Sequence, residues 1–366
     1  GANNVAIGNN AMNNATSAGH NTLIGVNSGY YNTTGSYNIG TGNYSLQDVT
    51  TGQYNNAFGY SAGQSFTTGS YNIAIGAYSN NNTQTSNHNT AIGYAAGYNT
   101  TTGGGDVKIG NYAGYYNTTG YQNTFVGYQS GYDNTTGIRN VFIGDYAGYN
   151  NETSNYNTAI GYYSGFNLGS AGYNTLLGYY AGHGLTGAAS YGNTILGYNA
   201  QANNSYDYTC IILGYTTLGV GSGYFVFGQG NGNDRVYNQF GANASWTRVS
   251  DGRYKKDIQT NTDCGLAFIN DLRPVTFKWR AKSEIDNTLP DYDESKTEVE
   301  YSSKMYGLIA QEVKEVLDNH NITDFGGWHE QDDSGIQGIS QEMFIYPLIK
   351  AVQELSAKVT ALENGG

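Results

Sequence analysis

A Gly that follows a large apolar residue returns at Gly59, Gly76, Gly93, Gly110, Gly127, Gly144, Gly161 and Gly178, seven consecutive steps of 17 residues. A period held that strictly points to a solenoid, in which each coil buries its apolar side against the coils above and below. The same motif appears earlier at Gly8, Gly25 and Gly40, with steps of 17 and 15, and later at Gly197, Gly214 and Gly228, with steps of 19, 17 and 14. Unequal steps are expected where loops absorb insertions.

Alignment on that Gly shows what each position requires. The residue just before it is large and apolar throughout the regular run: Phe58, Ile75, Ile92, Ile109, Val126, Ile143, Ile160 and Leu177. Two residues earlier, on the same face of a strand, stand mostly β-branched residues such as Ile73, Thr90, Val107, Thr124 and Val141. This pair of columns is expected to fill the inside of each coil. Between them Ala57, Ala74, Ala91, Phe125 and Phe142, with Lys108 as the exception, point the other way. Ala or Ser alone occurs three residues after the Gly, which suggests a second strand packed closely on the first. The expectation is a narrow roll with two short strands per coil. Four residues before the Gly runs an Asn column, Asn55, Asn72, Asn89, Asn123, Asn140 and onward, broken only by Asp106. Stacked amides at a fixed turn can bond one another up the ladder.

Burial within one chain leaves such coils marginal. Ordering 17 residues costs roughly 1–2 kcal/mol each, whereas fully burying one Ile returns about 1.5–3 kcal/mol. A second buried face, the one carrying Ala57 and Phe125, is therefore expected to meet another copy, giving a homo-oligomer of three chains. About 14 coils at roughly 4.8 Å each make a rod on the order of 65 Å long.

Composition narrows the function. The chain of 366 residues holds 53 Gly and 36 Tyr and is only 12 % charged, with a net charge of −12. Lys108, Arg139 and Arg235 are the only basic residues before position 240, so the repeats have different physics from the C-terminal third. Nothing resembles the concentrated basic charge that nucleic acid or an anionic membrane requires. No apolar run reaches the ~20 residues needed to span a bilayer, so membrane insertion is not expected. Cys210 and Cys264 are too few for a disulfide framework and lack metal-knuckle spacing, and are read as packing residues. The five His are scattered and the "GGGD" at 103–106 does not recur, so neither metal nor cofactor is expected. Acidic residues in the repeats are too sparse to supply the carboxylate pair of a glycosidase. Asn-x-Ser/Thr triplets such as Asn32-Thr33-Thr34 follow from composition. The chain opens at Gly1, inside a repeat, and is expected to be part of a longer protein. The many Tyr, among them Tyr94, Tyr98, Tyr128 and Tyr162, either stack on one another or offer ring faces to the sugars of a host surface; mutual stacking is the favoured reading.

Two resemblances follow from particular residues. The coils centred on "AIG" (Ala91, Ile92, Gly93) resemble the left-handed β-roll heads of trimeric autotransporter adhesins over about residues 1–228, although this repeat is longer and richer in Tyr and Asn. That resemblance implies a left-handed roll and a trimer. Further on, "SDGRYKKDI", "LAFINDLRPVTFKW", "YGLIAQEVKEVL" and the closing "YPLIKAVQELSAKVTALE" come in an order that resembles the C-terminal intramolecular chaperone of phage endosialidase tailspikes and many tail fibres, a family of self-cleaving serine peptidases. The expected fold is thus mainly β. Residues 1–228 form the solenoid, 229–249 a neck, and 250–366 a small α+β auto-processing domain whose helix over 341–364 enters a coiled coil.

The chemistry can be read beside the resemblance. Ser250 needs a base, and Lys255 lies five residues on across a turn containing Gly252. A lysine serves as base only when neutral, a state favoured by burial and by the adjacent Arg253 and Lys256. The resemblance assigns Ser250 and Lys255 to the family's dyad, with the cut at Ser250 on one side or the other, within Val249, Ser250 and Asp251. Leu348, Val352, Leu355, Val359 and Leu362, spaced 4, 3, 4 and 3, form a heptad seam that can gather three chains. Repeats alone offer many nearly equivalent registers, so a template that sets register and then cuts itself away leaves a kinetically stable fibre. The expected protein is a trimeric tail fibre or tailspike of a virion that contacts a glycan or protein receptor on its host. The alternative is a bacterial cell-surface adhesin assembled by the same domain. An ice-binding solenoid is disfavoured because the Thr column is expected to face inward with the aliphatic residues.

Overall fold

The computed structural model describes residues 1–187, 189–231, 234–239, 247–248, 250, 252–289, 292–299, 304–330 and 335–365. The chain divides into two compact units, Gly1–Tyr254 and Lys255–Gly366.

The first unit is a β-solenoid. Three-residue strands beginning with Val5–Ile7 and Thr22–Ile24 pair in parallel, each with the next coil, through Thr194–Leu196 to Ile211–Tyr215 and Tyr224–Gln229. The register is that of the repeat: Ile73 faces Thr90 and Ile75 faces Ile92. The step from Gly25 leads to Gly42, not Gly40: the strand Ile39–Thr41 pairs Ile24 with Thr41, so the 17-residue period is unbroken from Gly8 to Gly178. Gly40 occupies the middle of its strand. The segment over 229–249 carries two further strands, Arg235–Gln239 and Thr247–Arg248, which continue the sheet antiparallel. This reversal ends the parallel ladder.

Each coil holds one strand, not two. After the Gly the backbone alternates into the left-handed region, as at Ala95 (φ 51°) and Gly97 (φ 63°), which curls the chain into turns where an extended strand was expected. These turns are still laddered from coil to coil: Gly97 N donates to Ala113 O at 2.9 Å and Ala95 N to Ala77 O at 2.9 Å. The Ala and Ser of this stretch, from Ala62 to Ala200, are fully or nearly fully buried, so the small residues line the interior as expected, but from a turn.

The strand faces are reversed relative to the sequence expectation. From Leu23 through Ala57, Ala74, Lys108, Phe125, Phe142, Leu176 and Ile195 to Val226, the middle residue of each strand is fully buried within its own coil. The aliphatic residue before the Gly stands outward: Phe58 is 41 % exposed, Ile75 39 % and Leu177 44 %. A 17-residue coil has a narrow lumen, and its opposite wall is Ala and Ser. The middle side chains fill that space at full burial, from Ala57 and Ala74 to Phe125 and Phe142.

Two columns hold the coils in line. Asn21, Asn38, Asn55 and Asn72 are buried, and each side-chain oxygen accepts the backbone N–H of the Asn one coil later at 2.9–3.1 Å. Their amide nitrogens donate to carbonyls 14 residues on, such as Asn55 to Gly69 at 2.8 Å. The expected amide ladder is present. The marker Gly forms the second column: Gly93 has φ +132°, and a Cβ there would lie 2.6 Å from the carbonyl oxygen of Gly110. Only glycine tolerates both the angle and the approach.

The second unit is small and mixed. Helix α1 (Leu266–Asp271) and helix α2 (Ala310–Asn319) pack Phe268 against Val313 and Leu317, with Cys264, Phe325 and Phe344 around them. Two antiparallel strand pairs, Val275–Phe277 with Met305–Gly307 and Trp328–Glu330 with Gln337–Ile339, complete it. Helix α3 (Ile345–Asn364) closes the chain.

Candidate auto-processing site and assembly surfaces

Ser250 is exposed and precedes a single 3-10 turn, Gly252–Tyr254, that carries the exposed Arg253. Lys255 opens the second unit and is exposed, as is Lys256 beside it. Val249 and Asp251, the flanking residues of the expected cut, lie outside the described residues. A groove of about 310 Å³ on the second unit runs past Leu272, Leu308 and the ion-paired Arg273 and Glu312, and contains neither Ser250 nor Lys255.

Helix α3 divides its surface. Pro347 and Ala351 are buried, and Glu354 accepts the backbone N–H of Leu266 at 2.9 Å, tying α3 to the start of α1. The heptad residues turn outward: Leu348, Val352, Leu355, Val359 and Leu362 are 45–78 % exposed. A helix that packs on its own unit through small residues leaves the larger ones for a different contact.

Inside the solenoid, one coil breaks both columns at once. Asp106 stands in the Asn column and Lys108 in the apolar one, both fully buried and joined at 3.0 Å. Lys108 Nζ also donates to Thr100 Oγ1 at 3.0 Å, while Asn117 Nδ2 and Asn123 N donate to the Asp106 carboxylate at 2.9 and 2.8 Å. Simultaneous exceptions two residues apart, of opposite charge, were the sequence signal for this pair. It lies between two apolar clusters, one built from Met12 to Ala74 and the other from Ala113 to Ile212.

The Tyr columns stack on themselves. His20, Tyr37, Tyr54, Tyr71 and His88 form a run of near-parallel rings with centroids 4.8–5.2 Å apart, and Tyr98, Tyr115, Tyr132, Tyr149 and Phe166 form another. Inner rings of these runs have both faces engaged. Burial, reinforced by neighbouring Tyr116, pushes the Tyr132 hydroxyl well above its ordinary pKa. Burial likewise raises both thiols, that of Cys210 to about 11, which fits packing roles. Asn32, in the triplet Asn32-Thr33-Thr34, is buried and donates to Gly35 O at 3.1 Å, so its amide serves the fold. Among the described residues no helix is long and apolar enough to cross a membrane, and no group of three or more His, Cys, Asp or Glu could hold a metal.

Residues 250–322 match the family model described as chaperone of endosialidase. The match begins at Ser250 and runs through α1 and α2. No curated protein and no solved structure matches the chain. The family match supports a chaperone role for the C-terminal unit, as its sequence motifs implied.

Proposed function

We propose that the chain is a segment of a homotrimeric tail fibre or tailspike, carried on a virion and contacting the host surface, whose C-terminal unit aligns three chains and then cuts itself off at Ser250. The observation that carries this reading is the match of residues 250–322 to a chaperone, placed directly after a long repeat that needs one. The outward heptad seam of α3 supplies the contact that gathers three copies, Leu348 through Leu362 forming the shared core.

The exposure of Lys255 in the single chain gives the cut its timing. A lysine acts as base only when neutral, and packing of neighbouring copies around Lys255 would favour that state by desolvation. The amine then takes the Ser250 Oγ proton, the oxygen adds to an adjacent backbone carbonyl, the peptide C–N bond breaks as the ammonium returns that proton to the leaving nitrogen, and water hydrolyses the resulting ester to a carboxylate and the free Ser250 hydroxyl. Cutting thus follows assembly and acts in cis. In Ser250→Ala the trimer is expected to form with full-length subunits, and Lys255→Met is expected to behave alike while Lys256→Met still cuts. An Ala variant that is cut normally would remove Ser250 from the mechanism.

A further inference from the structure

The outward strand positions form two ranks along the whole ladder. One carries residues such as Thr90, Val107, Thr124 and Val141, and the other Ile75, Ile109, Ile143 and Leu196. No charged residue stands in either rank from Val5 to Phe227. The result is a strip of sheet, uncharged and largely aliphatic, that the single chain leaves open to water. Protein surfaces rarely expose apolar area on this scale without a partner.

We propose that this strip is the surface through which the three copies pack in the solenoid, resting on the trimeric reading above. The partner follows from the period. The ranks repeat at one coil, and a contact that continues from coil to coil needs a surface of identical pitch, which a second copy of this chain supplies. The area is that of a supplementary contact: roughly 70 Å² from each outward aliphatic side chain over ~14 coils gives on the order of 1,000 Å² per chain, or about 500 Å² towards each of two neighbours, against ~800 Å² per partner in a standard stable interface, so the strip adds to the α3 seam rather than holding the trimer alone. The face turned towards other copies is therefore opposite to the one carrying Ala57 and Phe125, which fills the coil itself. The outward strip adds the second buried face that a coil of this size requires.

Cysteine cross-linking tests this on the full chain, read beside its native mass. The native Cys210 and Cys264 are buried, with thiols raised by burial, and stay silent. Ile109→Cys and Ile143→Cys, treated separately with a short bismaleimide, are expected to give linked chains on a denaturing gel. Tyr116→Cys, 42 % exposed on the turn just after Gly114, whose Cβ would meet the inward Phe125 ring from across the coil, is expected to give none. A trimeric native mass with thiols at 109 and 143 that alkylate freely and never link would overturn this interface while leaving the trimer standing. A monomeric native mass would overturn both, and a monomer that slows ice growth through the open Thr and aliphatic ranks would give the strip a different role.

Discussion

Lys108→Leu is the substitution whose consequence the structure defines most sharply. In the parent chain Asp106 and Lys108 are both fully buried, and the carboxylate is satisfied by the Lys108 ammonium, the Asn117 amide and the Asn123 backbone N–H. Removing the cation leaves a carboxylate in the core with neutral donors alone, a loss of about 3–5 kcal/mol for a broken buried pair. At ~2–4 °C per kcal/mol for a unit of this size, the melting temperature should fall by on the order of 10 °C. Replacing both partners reverses the sign. Asp106→Asn with Lys108→Leu restores the amide that every neighbouring coil uses and places in the lumen the residue found at Leu176. Such replacements of a buried pair are neutral or stabilising by about 1–4 kcal/mol. Thermal unfolding followed by circular dichroism at one scan rate compares the three proteins. The reasoning fails if Lys108→Leu melts with the parent, or if the double variant falls as far as the single one.

Other consequences are open to direct measurement. Gly93→Ala is expected to cost roughly 2–4 kcal/mol, from the disfavoured φ of +132° and the crowding of a new Cβ 2.6 Å from Gly110 O; an unchanged melting temperature would contradict the Gly column. Leu355→Asp, on the outward seam of α3, should leave helix content intact by circular dichroism but shift the native mass from trimer to monomer. Acid should act oppositely on the two units. Hydrogen bonds from Thr288, Ser295 and Arg273 hold Asp286, Asp293 and Glu312 below the usual carboxylate range, so their stabilisation is present above that range and lost as pH falls through their lowered values. Burial raises Asp48 and Asp133, which bind protons more readily in the folded state, so the solenoid gains from them as pH falls towards 4. Hydrogen exchange resolved by unit checks both signs, the solenoid gain between pH 7 and about 4 and the C-terminal loss between about 4 and 2.5.

Much of the solenoid was legible because its period is exact in the sequence and its special residues have single physical uses. The Gly column, the Asn ladder and the small residues of the inner wall each read correctly from residue type. Which strand face turned inward did not. Ala91 and Ile92 are both apolar, and the larger was expected inside with the β-branched column, whereas the coil turns the middle residue inward whatever its size, Ala91 and Phe125 alike. The same error underlies the placement of the Thr column, which shares the outward face with the aliphatic residues, so its orientation gives no argument against ice binding. "IGTG" at 39–42 offered two Gly, and the one directly after the aliphatic residue was the wrong marker. The turn that replaces a second strand depends on left-handed angles at residues such as Ala95, which residue type does not announce. In the C-terminal unit the order of the motifs was readable and the family match begins at Ser250, but the exposure of Lys255 was not legible, since it depends on what surrounds the residue.

The most direct test of the account is the native mass of the purified protein together with its subunit masses under denaturing conditions. A trimer whose subunits divide at residue 250 is the predicted result. An uncut monomer would contradict it.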